Sequence, residues 1–208
     1  MSILRENDKR SPNVVSFEVL FRRKTMIYFT SDQHFRHANI LRHCPNRKFS
    51  AVDEHDAHLI KMWNQVVKPG DTVFTLGDFA FGRVEDFYAI LDVLHGKKVL
   101  ITGNHDVRHL KREEFRNRFA AIKFGYHEVE VNFRGHTALI VLCHYPLESF
   151  NKMRYGSFHL HGHCHSPPGI YKVNRMVNRR DVGVDSREDH APWGKDELLE
   201  SIEREFLA

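Results

Sequence analysis

The sequence predicts a single α/β domain, and two observations carry that prediction. From residue 26 to residue 106, short apolar runs of strand length alternate with polar loops and with stretches of helical apolar spacing, the rhythm of a wound β-α-β sheet. Beyond about residue 127 the pattern changes to short alternating segments, so the second half is mostly strand. The length of 208 residues fits one domain, or one domain with a short extension.

Residues 1–25 read as an N-terminal extension ahead of a domain spanning 26–208. Charged residues from Arg5 to Arg10 precede Ser11-Pro12, and an apolar run from Val14 to Phe21 is broken by Glu18 and closed by Arg22-Arg23-Lys24. A secretory signal needs an uninterrupted apolar centre and a small-residue cleavage site, and neither is present. Residues 26–30 form a short buried strand followed by Ser31-Asp32-Gln33-His34. Ser50 with Asp53 three residues on predicts a capping box at a helix start. Leu59, Ile60, Trp63, Val66 and Val67 give that helix its apolar stripe, and Pro69-Gly70 ends it. Residues 72–76 are the next strand, broken by Gly77-Asp78. Phe87, Ile90, Leu91 and Leu94 mark a second helix stopped at Gly96, and 98–102 a third strand before Gly103-Asn104-His105-Asp106. Residues 128–133 and 137–143 alternate around Arg134-Gly135 as a hairpin. Further strands are expected at 157–161, 171–177 and 181–185, and a closing helix at 195–207.

Composition narrows the function classes. Hydrophobic residues at 41% and charged residues at 28% permit a full-sized core. No apolar stretch approaches the roughly 20 residues of a membrane span. Cys44, Cys143 and Cys164 form no C-x-x-C pair, which argues against a disulfide framework or a cysteine zinc site and for a reducing, cytoplasmic home. The net charge of +4 suits an anionic substrate, although an evenly spread surface excess gives the same sum. Histidine is the anomaly: 16 of them against 12 glycines.

Their placement carries the chemistry. Each predicted strand end delivers metal-type side chains into the following loop: Asp32 and His34, then Asp78, then Asn104, His105 and Asp106, then His144, then His163 and His165. Loops at the carboxyl ends of strands are where open α/β sheets build sites. Side chains two apart on an extended segment point the same way, so Asp32 and His34, and likewise His163 and His165, can converge. Gly77, Gly103 and Gly162 stand immediately before these residues, where the backbone must turn sharply or pass closely. Taken singly, each signal is an ordinary polar turn; the ordered set is specific.

In that order the motifs D-x-H, G-D, G-N-H-D, a lone H and G-H-x-H resemble those of the calcineurin-like metallophosphoesterase superfamily, its small bacterial and phage enzymes above all. The resemblance runs from about Met26 to at least Asp185. It implies a four-layer α/β/β/α sandwich holding two divalent metal ions, with Mn²⁺ favoured and Fe, Zn²⁺, Co²⁺ or Ni²⁺ alternatives. By motif position, Asp32, His34, Asp78 and His165 would bind the first ion, and Asp78 would bridge to a second completed by Asn104, His144 and His163. Two such ions clamp a phosphate and lower the pKa of a bridging water. His105 is left without a metal and becomes the candidate for general acid or transition-state stabiliser, with Asp106 as its orienting partner. Arg36 and His37 are candidate substrate contacts, and His161 flanks a ligand segment in the same way. Cys164 should point away from the ions.

The implied activity is hydrolysis of phosphate esters. The protein phosphatases of the superfamily carry an Asp-Arg pair in the second motif that this chain lacks, and the short chain leaves little room for a capping domain. Both favour a phosphodiesterase with a small or nucleotide-like substrate. A nuclease is the second reading, with nucleic-acid contact through the basic runs at 22–24 and 179–180 only weakly supported, and a phosphomonoesterase is the third. A non-enzymatic scaffold is disfavoured because the set of seven ligands and His105 is intact.

Overall fold

The structure is a computed structural model that describes residues 24–169 and 178–207. The expected extension, apart from its last residues, and the expected strand at 171–177 lie outside the described residues. The elements in chain order are β1 (Ile27–Thr30), α1 (Ile40–His43), α2 (Val52–Val66), β2 (Thr72–Thr75), a 3₁₀ turn (Val84–Phe87) running into α3 (Tyr88–Val93), and β3 (Lys97–Ile101). Then come α4 (Glu113–Arg116), β4 (Ala121–Lys123), β5 (His127–Phe133), β6 (His136–Leu142), β7 (Phe158–His161), β8 (Arg179–Asp181), β9 (Trp193–Gly194) and α5 (Lys195–Leu207).

The strands make two sheets. One has the order β4-β3-β2-β1-β9, parallel from β4 to β1 with β9 antiparallel at the edge. The other has the order β5-β6-β7-β8, a hairpin continued by two parallel strands. The hairpin turns on Arg134 (φ 51°) and Gly135 (φ 84°), a two-residue loop whose positive φ angles give it a twist that matches the right-handed twist of paired strands.

Two apolar clusters build the layers. Leu59 and Trp63 of α2 pack with Leu91, Phe87, Val73 and Leu100 on the outer face of the first sheet. Phe29, Leu76 and Ile101 on its inner face meet Val131, Ile140, Leu142 and Leu160 of the second sheet, with Leu198, Leu199 and Ile202 of α5 joining from the β9 edge. This is the predicted mixed α/β sandwich. The ends of the two sheets are stitched together where the motif loops emerge, by the Ser31–Gly183 bridge and by His163 N–H donating to Asp32 Oδ2.

Several expectations need local correction. Ser50 does not cap α2: Ala51 holds the N-cap position, and Ser50 instead donates its N–H and Oγ to Glu54 Oε2, with Asp53 taking no part. The chain is still extended at Ala51, so the helix begins one residue later than the capping-box spacing assumes. The strand expected at 181–185 ends at Asp181, and residues 184–186 form a 3₁₀ turn. Helices α1 and α4 and strands β4 and β9 went unpredicted because each has two to four residues, too few to show a period.

Candidate metal centre

The sharp breaks after β1, β2 and β7 are backbone devices. Asp32 (φ 58°), His34 (φ 52°), Asp78 (φ 53°), His163 (φ 69°) and His165 (φ 48°) are all in the left-handed region, which non-glycine residues seldom adopt. Asp32 and His34 therefore converge, as do His163 and His165, by alternating left-handed turns and not by lying on an extended segment as expected. Neighbouring glycines make room. A Cβ on Gly77 (φ 93°) would stand 2.5 Å from Gly103 N and 2.7 Å from His144 Nδ1. A Cβ on Gly162 would collide with Ser31 and Asp32.

The side chains so delivered gather in two triads whose donor atoms lie within 4.8 Å of one another: Asp32, His34 and His165, and Asp78, His144 and His163. Asp78 stands between them. Its Oδ2 lies 3.5 Å from His144 Nε2, 3.7 Å from His34 Nε2 and 3.8 Å from His105 Nε2. Asn104 joins the second triad, with its Oδ1 3.0 Å from His144 Nε2. Cys164 belongs to a separate group with His161 and Asp181, as its expected orientation requires. His161 is buried and its Nδ1 meets Gly162 O at 2.9 Å.

The electrostatics are those of a cation site. Burial raises the Asp32 carboxyl to about 7 against the pull of His165 and His144. Burial and the Arg47 charge lower His34 to about 2. On His144 the cost of burial is outweighed by the Asp78 and Asp32 carboxylates, which raise it to about 9. On His165 it is outweighed by Asp185, giving about 10. Asp78, despite burial, is lowered to about 2, chiefly by His144. The carboxylates thus favour positive charge on the His144 and His165 imidazoles. Asp32 Oδ1 and His34 Nε2 are buried with no hydrogen-bond partner, donors aimed where an ion would complete them. The mixed nitrogen and oxygen set fits a divalent transition ion.

Around the triads lie residues that the sequence did not single out. Asp185 Oδ2 accepts from His165 Nδ1 at 2.7 Å, and the buried Arg47 clasps Asp185 through Nε (2.8 Å) and Nη2 (2.6 Å). Arg47 also donates to the carbonyls of Asp32 and Gln33, tying the first motif loop to the same frame. The signal available in sequence is weak: Asp185 closes an apolar run as Asp32 and Asp78 do, and nothing marks Arg47. Tyr145, exposed, packs edge-on against His163 with ring centroids 4.7 Å apart.

Asp106 does not orient His105. Its carboxylate, fully buried, accepts from the backbone N–H of Asp78 (2.9 Å), Gly103 (2.8 Å) and Phe79 (3.1 Å), so it staples the second and third motif loops together. His105 is instead placed by its own N–H, which donates to Asp78 Oδ1 at 2.9 Å. His37 approaches the cluster, with Nδ1 3.0 Å from His34 Nδ1. The Arg36 guanidinium is held by Asp53 and Asp56 of α2.

A family model described as calcineurin-like phosphoesterase matches residues 25–206. The chain is 35% identical over 142 residues to an uncharacterised protein of Methanocaldococcus jannaschii, MJ1445, covering 67% of this chain and 69% of that one. It is 32% identical over 204 residues to the gene 66 protein of Mycobacterium phage D29, covering 85% and 95% respectively. In structure it is similar to AQ665 of Aquifex aeolicus, a protein of unknown function, with a TM-score of 0.63 at 24% identity over 86% of this chain and all of that one. Among the described residues no helix is long and apolar enough to cross a membrane.

Proposed function

We propose that this chain, which belongs to the calcineurin-like phosphoesterase family of metal-dependent phosphate-ester hydrolases, is a phosphodiesterase working at a two-ion centre. Asp32, His34, Asp78 and His165 would hold one ion and Asp78, Asn104, His144 and His163 the other, with Mn²⁺ the favoured metal. The observation that carries this reading is the shared position of Asp78, one carboxylate oxygen facing imidazoles of both triads at 3.5 and 3.7 Å. Bound divalent ions in such a pair supply a nucleophile at neutral pH and clamp the phosphoryl oxygens.

The protein's own residues do the rest. His105, about one-third exposed and 3.8 Å from Asp78, stands at the open side of the cluster and can give its proton to the leaving oxygen or stabilise charge on the phosphoryl group. Asp106 holds its loop in register with Asp78. His37 fixes the His34 ring through Nδ1, leaving Nε2 to the ion. The preference for diesters follows from where guanidinium groups are spent. Arg36 is engaged by Asp53 and Arg83 by Asp86, so the paired arginine clamp that a dianionic monoester rewards is not assembled from them. Three free cysteines support a reducing, cytoplasmic setting.

The test is kcat/KM with Mn²⁺ for bis-p-nitrophenyl phosphate against p-nitrophenyl phosphate. The diester should be favoured, and a tenfold preference for the monoester would overturn that choice. His105→Ala should retain metal and lose about 10²–10⁴-fold in kcat, less when the leaving group needs no proton. Loss of metal in that variant would make His105 a ligand.

A further inference from the structure

The arginines nearest the motifs differ in one respect. Arg36 is paired with Asp53 and Asp56, and Arg83 donates to both oxygens of Asp86. Arg108, exposed, has no carboxylate partner among the described residues. Its Nε donates to His109 Nε2 at 3.1 Å, and its guanidinium lies 4.0 Å over the Phe81 ring. His109 is buried, and burial with the adjacent Arg108 charge lowers it to about 4, so the ring is the neutral acceptor that this bond requires.

Phe81 is itself stacked on His37, with centroids 4.1 Å apart and planes 13° from parallel. Two partners so near the ring centre occupy opposite faces, which makes His37, Phe81 and Arg108 a three-layer stack. The stack starts at His34 through the His37 contact, and Phe81 also meets His105 edge-on at 5.3 Å. It therefore ends, a short step outward from the triads, in a guanidinium fixed at Nε and across one face. Its Nη groups make no hydrogen bond among the described residues.

That guanidinium lines a cavity of about 320 Å³ together with Arg83, Arg112 and Glu85. Glu85 is the only acid in the lining, and Arg112 faces it at 3.9 Å. The cavity is thus positive in balance, with one cation uncommitted and prearranged. A guanidinium immobilised before binding loses little further entropy when it forms charge-assisted bonds to phosphate oxygens.

Resting on the diesterase reading, we propose that this cavity is a second-phosphate subsite, in which Arg108 receives a phosphate neighbouring the one that is cleaved. The substrate class is then a phosphodiester carrying an additional phosphate. Two sources share that chemistry: the next linkage of an oligonucleotide, and the phosphoanhydride of a nucleotide.

Calorimetric titration of the Mn²⁺-loaded protein tests it, with thymidine 3′,5′-bisphosphate, thymidine 5′-diphosphate and thymidine 5′-monophosphate as probes. At least one doubly phosphorylated probe should bind about tenfold or more tightly than the monophosphate, a difference of about 1.4 kcal/mol. A preference for the 3′,5′-compound identifies nucleotide spacing, and a preference for the 5′-diphosphate identifies the anhydride. In Arg108→Ala the ratio should collapse to about one, and Arg108→Lys should restore it only in part because an ammonium cannot stack and fork as a guanidinium does. Equal affinities in the wild type, or an undiminished ratio in Arg108→Ala, would overturn the subsite. Failure of the wild type to cleave bis-p-nitrophenyl phosphate while the binding ratio holds would sink the diesterase reading and leave the phosphate site standing.

Discussion

The two triads use the same chemistry but are held in different ways. In the first, His165 is backed by the Asp185 carboxylate at 2.7 Å, and that carboxylate is neutralised by the buried Arg47. In the second, His144 is backed by the Leu76 carbonyl at 2.7 Å, while His163 and Asn104 stand exposed. An imidazole that shares its second proton with a carboxylate is the more basic ligand and the more firmly aimed one. If each triad holds an ion as proposed, the first would retain its ion more firmly and the second would be the one open to solvent. The difference teaches that ligand identity alone does not rank two metal sites; what stands behind each ligand does.

The comparison can be broken most completely at Asp78, the residue common to both sides. Asp78→Asn removes the one anion that faces both triads, and turnover should be lost together with at least one bound ion, counted by elemental analysis. Normal activity with two ions retained would remove Asp78 from its bridging role.

Asp185→Asn sharpens the contrast. It should weaken the tighter of two Mn²⁺ binding steps by about 10–100-fold and leave the weaker step nearly unchanged. It also leaves Arg47 buried without its countercharge, so a loss of about 3–5 kcal/mol of stability is expected beside it. Chemical denaturation reads the second effect separately from the first, and Asp185→Glu should recover part of the metal affinity if the charge matters as well as the fit. Equal weakening of both steps would mean that the triads are not distinct.

The last test is one of protons. Without metal, His165 and His144 hold their protons to about 10 and about 9, and Asp32 to about 7. All three must be bare to ligate, so metal uptake at pH 7 releases protons. The sign follows: as pH rises from 6 toward 9 there are fewer protons to displace, and apparent affinity climbs, by about tenfold per unit for each proton released. Mn²⁺ titrations in buffers of different ionisation enthalpy count them. An affinity independent of pH would show that the ligands are already deprotonated.

Much of this was legible in the chain before any coordinates. The strands and long helices announced themselves through apolar period, and the metal-type residues by their position at strand ends. What sequence could not supply was contact across the fold. Arg47 and Asp185 are separated by 138 residues, and only the stacking of the two sheets makes them a pair. Asp106 was misread for the complementary reason. Adjacency to His105 suggested a partnership, whereas its two oxygens are consumed by three backbone amides of neighbouring loops. Nothing in the sequence marks Arg108, whose freedom from carboxylates is a property of its surroundings.

The left-handed backbone at Asp32, His34, Asp78, His163 and His165 has a consequence for how this fold can change over time. Glycine is the residue that such positions welcome, and an imidazole or carboxylate there is kept at a conformational cost of order 1–3 kcal/mol, least for aspartate. At Asp32, Asp78 and His165 the side chain offsets that cost, by accepting from His163 N–H, accepting from His105 N–H and meeting Asp185. At the exposed His163 the chemistry and the stability of the chain stand in sharper opposition. A descendant released from the reaction could gain robustness there by a single exchange to glycine, which would erase a donor.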